Sequence, residues 1–150
     1  MKRAVFPGSF DPVTIGHQDI VNRGLKIFDE IIIGVGENID KKNMFSSNER
    51  FDFVSKTFEA NNKVHIKTYD GLTVDFCKKN NAEFIIRGLR NPADFEFEKS
   101  IALINREMTG IETVFFLTSP KNSFVSSSIV RDLIKNKGNY KLFIPKGVIL

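Results

Sequence analysis

Glu30-Ile31-Ile32-Ile33-Gly34-Val35 is the stretch on which the fold turns. Four of its six residues are β-branched aliphatics, and nothing polar interrupts the run after Glu30. Such a segment reads as a strand covered on both faces, the environment of a parallel sheet flanked by helices. Upstream, His17 to Phe28 places Ile20, Val21, Gly24, Leu25 and Phe28 at helical spacing. Before that, Arg3 to Phe6 is a short apolar run that Pro7-Gly8 should stop, a buried first strand. Downstream, Ser47 is placed to cap a helix carrying Phe51, Val54 and Phe58 on one stripe. Val64 to Thr68 follows as a third strand, Thr73 to Asn80 as a short helix, and Glu83 to Arg87 as a fourth strand closed by Gly88. Asp94 is placed to cap a long helix to about Met108, with Ile101, Ile104 and Met108 on one side. Thr113 to Thr118 is a fifth strand, and Ser126 to Asn136 a last helix. The segment after Gly138 carries no clear period.

Strand and helix alternate throughout, which predicts an α/β chain: a Rossmann-like, doubly wound sheet of five parallel strands with helices on both faces. A length of 150 residues suits one domain spanning 1–150. With 41% hydrophobic and 27% charged residues the composition is that of a soluble globular chain, not of a disordered one. The single Cys77 cannot close an internal disulfide. No apolar run approaches a bilayer span and Pro7-Gly8 interrupts any signal-peptide core, so the expected place is the cytoplasm, away from membranes. Lys and Arg number 22 against 18 Asp and Glu, a net charge of +4. The cations are scattered in pairs such as Lys41-Lys42, not gathered into the stripe of a nucleic-acid binder, so small phosphate-bearing ligands are the better expectation.

Ligands of such sheets bind beyond the carboxyl ends of the strands. No G-x-x-x-x-G-K-[ST] loop, full dinucleotide fingerprint, G-x-S-x-G elbow or Cys/His zinc cluster is present. Strand ends therefore have to supply the chemistry. After strand one comes GSFDPVTIGH, Gly8 to His17, where Gly16-His17 sets an imidazole at a helix start eight residues after Ser9. After strand two come Lys41 and Lys42. After strand four, Arg87 and Arg90 bracket Gly88-Leu89; either they bind phosphate or they pair with Asp94 or Glu96. Glu98 is a surface charge or an acceptor for a ribose hydroxyl. Before the last helix, Ser126, Ser127 and Ser128 offer hydroxyls and backbone N–H groups, where one serine would suffice as a cap. The set is cationic and hydroxyl-rich, with no nucleophile beside a base. That points to positioning and charge stabilisation, the strategy of phosphoryl and nucleotidyl transfer.

Thr14-Ile15-Gly16-His17 resembles the T-x-G-H signature of the nucleotidyltransferase superfamily. VSSSIVR, Val125 to Arg131, resembles its I-S-S-T-x-x-R signature. RGLRNPADFEFE (Arg87 to Glu98), Asn105 on the same helix and KKNMFSSNER (Lys41 to Arg50) resemble, more narrowly, the bacterial phosphopantetheine adenylyltransferases, from about Lys2 to Pro145. That resemblance implies transfer of an adenylyl group from ATP, with Mg²⁺, to 4′-phosphopantetheine, giving dephospho-coenzyme A and pyrophosphate. It implies a homohexamer, with coenzyme A as a feedback ligand. It implies His17 as the catalytic residue at the α-phosphate and Ser9 touching both substrates. Lys41, Thr73, Arg87 and Asn105 fall on the phosphopantetheine side. Phe10, Gly88, Leu89, Arg90, Glu98, Asn122, Ser123, Phe124, Val125, Ser126, Ser127 and Ser128 fall on the ATP side. Ser9 stands where many relatives carry Thr and keeps the hydroxyl. Thr73 stands where an apolar residue is common, so its backbone contact is what carries over. The sequence ends with FIPKGVIL, Phe143 to Leu150, short of the C-terminal helix common in the family, and local packing is expected to depart there. Other readings are a superfamily relative with a different phosphate acceptor, or a non-catalytic nucleotide- or RNA-binding module.

Overall fold

The computed structural model describes residues 1–38 and 40–150. Five parallel strands form one sheet: β1 (Arg3–Gly8), β2 (Glu30–Gly36), β3 (Val64–Tyr69), β4 (Phe84–Leu89) and β5 (Glu112–Leu117), in the order β3-β2-β1-β4-β5. Between them run α1 (Ile15–Gly24), α2 (Ser47–Phe58), α3 (Thr73–Lys79) and α4 (Pro92–Thr109), with α5 (Ser127–Lys135) after β5. The expected α/β doubly wound sheet is what forms. β2 is buried along its length, and its alternation divides it between two cores. Ile31, Ile33 and Val35 pack with Ile20 and Val21 of α1, Val54 and Phe58 of α2, and Val130 of α5. Ile32 packs on the other face with Val74, Phe76 and Cys77 of α3. Burial there pushes the Cys77 thiol up to about 12, so it stays protonated.

β1 does not stop at Pro7. It stays paired with β2 through Pro7↔Gly34 and Gly8↔Val35, but meets β4 only at Ala4↔Phe84 and Val5↔Ile85. Proline has no N–H to give a ladder, so it is tolerated where the strand faces a gap. The Pro7 carbonyl is taken instead by Arg87 Nη1 at 2.8 Å. β1 and β4 therefore part at the point where the strand order reverses, and the crevice of the sheet opens there.

Helix starts differ from expectation by a few residues. Ser46, not Ser47, caps α2, in a reciprocal box with Glu49. Asn91, not Asp94, caps α4, with Pro92 in its first turn. Thr14 caps α1, which ends at Gly24 and leaves Phe28 to be buried from the link to β2. The unread C-terminal segment forms a 3-10 turn, Tyr140–Phe143, and buries Ile144 and Val148 in the larger core. Among the described residues no helix is long and apolar enough to cross a membrane.

Gly34 is required by close approach. A Cβ there would stand 2.8 Å from Phe76 Cε1 and 3.0 Å from Tyr69 Cε1, two rings stacked with centroids 4.4 Å apart. Gly34→Ala is expected to destabilise the protein by ~1–3 kcal/mol through overpacking, read as a lower urea midpoint at unchanged m.

Candidate active site

The strand-to-helix turn after β1 builds the centre of the site. Thr14 has extended backbone and caps α1, putting His17 at the third helical position. The Thr14 backbone N–H donates to His17 Nδ1 at 3.0 Å, and the Thr14 hydroxyl lies 3.0 Å from the same nitrogen. Because Nδ1 accepts, the proton of the neutral ring sits on Nε2. Phe10 packs edge-on against the imidazole, centroids 5.0 Å apart, and Phe10 itself holds a left-handed φ of 50°. Burial, and then the charges of Arg87 and Arg90, lower the His17 pKa to about 4. The imidazole is thus a neutral hydrogen-bond donor at neutral pH, not a cation.

Two clefts meet at this centre. The narrow one, about 330 Å³, is walled by His17, Gly88, Arg90, Thr118 and Ser126 to Ser128. The wide one, about 730 Å³, runs between α4 and the sheet past Thr73, Ile85, Asn105 and Thr113. Ser9, Lys41, Arg87 and Glu98 border both. Lys41 Nζ donates to Ser9 Oγ at 2.8 Å, so the loop after β2 reaches over the end of β1. Asp11, 3% exposed, fastens that loop by accepting the backbone N–H groups of Met44 and Phe45, both at 2.9 Å.

Arg87 grips the Glu98 carboxylate with two nitrogens, Nε at 2.9 Å, so its fork is fixed toward the gap between β1 and β4. Arg90 pairs with Asp94, Nε to Oδ2 at 3.1 Å. Burial alone would raise the Asp94 pKa, but the hydrogen bonds from the Arg90 side chain and backbone hold it below the usual carboxylate range. The three serines have separate tasks. Ser126 caps α5, Ser127 donates to the Pro12 carbonyl at 2.8 Å, and Ser128 accepts from Arg131 Nη2 at 3.1 Å. Arg131 also donates to the Asp11 carbonyl, tying the start of α5 to the turn after β1.

Ser9, Phe10, His17, Lys41, Arg87, Gly88, Arg90, Glu98, Val125 and Ser126 to Ser128 thus come together around the narrow cleft, and Thr73 and Asn105 lie on the wide one. Leu89, Asn122, Ser123 and Phe124 are on neither wall. Leu89 is buried with its carbonyl held by Thr118; Asn122 is buried in a 3-10 turn; Phe124 is exposed against Phe143. Thr118 and Asp11 were not singled out by sequence. Thr118 is the last residue of the fifth apolar run, and Asp11 is a polar residue within GSFDPVTIGH; those are the only signals either gives.

The chain matches the cytidylyltransferase-like family over residues 5–133. It is 56% identical over 148 residues to the phosphopantetheine adenylyltransferase of Flavobacterium johnsoniae, covering 99% of this chain and 97% of that one. The enzyme of that name from Bacteroides fragilis is 44% identical over 148 residues, 99% of both chains. Among solved structures, a bifunctional NMN adenylyltransferase/ADP ribose pyrophosphatase from Francisella tularensis superposes with a TM-score of 0.70 at 15% identity. This chain covers 48% of that one, and the likeness speaks for the fold alone. A T-x-G-H turn at the switch point of a five-stranded sheet and near-full-length identity to enzymes of one name agree: the chain belongs to the cytidylyltransferase-like family and, within it, to the phosphopantetheine adenylyltransferases.

Proposed function

We propose that this single domain transfers the adenylyl group of ATP to 4′-phosphopantetheine, releasing pyrophosphate and forming dephospho-coenzyme A, a step of coenzyme A synthesis. The observation that carries the reading is the shared wall: two clefts of unequal size meet at Ser9, Lys41 and Arg87, beside His17. ATP suits the narrow cleft, whose wall includes the serine-rich N-terminus of α5 and Arg90. The acceptor suits the wide one. Its phosphate meets Lys41, Arg87 and Ser9, and its arm lies along Thr73 and Asn105.

At the junction an oxygen of the acceptor phosphate attacks the α-phosphorus in line. One P–O bond forms, the bond to the bridging oxygen of the β-phosphate breaks, and pyrophosphate leaves with that electron pair. His17 Nε2–H donates to a non-bridging α-oxygen as charge grows there, and the nearby arginines add their field. No proton need leave His17, which agrees with its low pKa. Magnesium is part of the substrate in this reading, carried by the nucleotide phosphates. Among the described residues no three His, Cys, Asp or Glu side chains gather to cage a metal. Asp94 and Glu98 are each engaged by an arginine.

A homohexamer fits the long α4, which buries only Glu98 and leaves Phe97, Ile104 and Met108 more than half exposed. Coenzyme A carries the acceptor's own arm, so the wide cleft suits it as a feedback ligand. Arg87 and Arg90, each already paired with a carboxylate, argue against a nucleic-acid partner. A turnover panel tests the assignment. Pyrophosphate release should be strong with 4′-phosphopantetheine and ~10³-fold weaker with nicotinate mononucleotide or glycerol 3-phosphate, which lack the arm that would lie along Thr73 and Asn105. Preference for either small acceptor would move the chain to another branch of the superfamily.

A further inference from the structure

Arg50 ends the KKNMFSSNER segment and has no part in the chemistry above. It lies in the first turn of α2 and is 2% exposed. Three charged side chains are buried among the described residues: Asp11, Arg50 and Glu98. Asp11 receives two backbone N–H groups and has Arg131 beside it, and Glu98 is gripped by Arg87. Arg50 alone of the three has no opposite charge within 4.0 Å. Its Nη1 donates to the carbonyl oxygens of Ser9 at 2.7 Å and Gly36 at 3.0 Å, and its buried Nε has no partner among the described residues.

Neutral carbonyls offset only part of the cost of taking a cation out of water. The missing counter-charge has an obvious place. Ser9 and Gly36 stand at the ends of β1 and β2, both on the wall of the wide cleft, and the Ser9 hydroxyl receives Lys41 there. The guanidinium therefore stands behind the Ser9 backbone while the cleft lies in front of it. We propose that Arg50 is a positioning residue for the phosphate of the acceptor: it clamps the two strand ends through their carbonyls, and its unneutralised buried charge favours a phosphate, and not merely an arm, in the cleft. The inference rests on the reading that the wide cleft takes a phosphorylated acceptor. Arg50 itself makes no contact with substrate; it acts through the Ser9 backbone and through its field, which is strong because water is excluded around it.

The readout is a ratio of affinities: 1/KM for 4′-phosphopantetheine over 1/Ki for unphosphorylated pantetheine as a competitive inhibitor. Three variants are compared with the wild-type protein. Arg50→Lys keeps the charge, Arg50→Gln keeps donors without charge, and Arg50→Met removes both while suiting an apolar site. The ratio is expected to fall about tenfold in R50Q and R50M and to stay within about twofold of wild type in R50K, with KM for ATP nearly constant. A ratio unchanged in the charge-free variants overturns the inference, as does an equal fall in R50K. If neither charge-free variant folds while R50K does, Arg50 is a requirement of the fold and the inference also fails. Absence of wild-type turnover with 4′-phosphopantetheine would instead overturn the acceptor reading, and this inference with it; turnover with an unmoved ratio overturns the inference alone.

Discussion

Replacing His17 with alanine is expected to lower turnover ~10²–10³-fold while ATP binding stays within a few-fold of wild type. The two effects separate because the imidazole is a neutral donor. A neutral N–H adds little to a ground state already held by arginines and helix N-terminal amides, but it meets charge that accumulates on the α-phosphate oxygens during displacement. His17→Gln keeps an N–H donor and is expected to retain more turnover than H17A. Steady-state kinetics beside equilibrium titration with ATP decides the matter. Equal loss in both would make His17 a ground-state ligand instead. Protonation gives an independent check. The folded-state pKa is lowered from 6.5 to about 4 by burial and by the Arg87 and Arg90 charges, so the ring resonances of His17, assigned with H17Q, should not titrate between about pH 5.5 and 8. The sign of the linkage follows. Between those two values the unfolded chain binds a proton that the folded one refuses, so this group costs stability as pH falls from 6.5 toward 4 and has no further effect above 6.5.

Arg87→Ala should do two separable things. It removes one of the two cations bordering both clefts, and KM for 4′-phosphopantetheine should rise ~10–100-fold with a smaller change for ATP. It also strands Glu98, whose side chain is 11% exposed and loses both of its hydrogen bonds to Arg87. A nearly buried carboxylate left without its partner costs about 2 kcal/mol, visible as a lower melting temperature. Combining Arg87→Ala with Glu98→Ala should recover most of that stability and none of the affinity. Recovery of affinity in the double variant would mean that Arg87 serves only to neutralise Glu98. Lysine is expected to be a poor replacement at 87, because one ammonium cannot span the carboxylate and the Pro7 carbonyl as the guanidinium does.

Much of the site is legible in the chain because phosphate chemistry in this architecture is confined to strand ends, and strand ends are marked by where apolar runs stop. GSFDPVTIGH and RGLR follow such stops, and VSSSIVR is marked instead by three serines at a helix start. Caps were less legible. Ser46 and Ser47, and Asn91 and Asp94, are near neighbours able to accept the same bonds, and the backbone entering the helix, not side-chain type, selects one. Pro7 was misleading for a related reason. Proline ends a strand only where its missing N–H was needed, and β1 faces a gap there. For Arg87 and Arg90 two readings stood open, phosphate ligands or ion pairs. The protein pairs Arg90 with Asp94 and Arg87 with Glu98, while Glu96 pairs with Lys99.

The sequence by itself determined the order of elements, both buried faces of β2 and the T-x-G-H turn, because these depend on local period and turn chemistry. Only the tertiary structure decided that His17 is neutral, that Glu98 belongs to Arg87, and that Arg50 is buried without a counter-charge. Each of these depends on which side chains, distant in the chain, share a volume from which water has been removed. One-dimensional order does not carry that information, and the strength of every charge in the site depends on it.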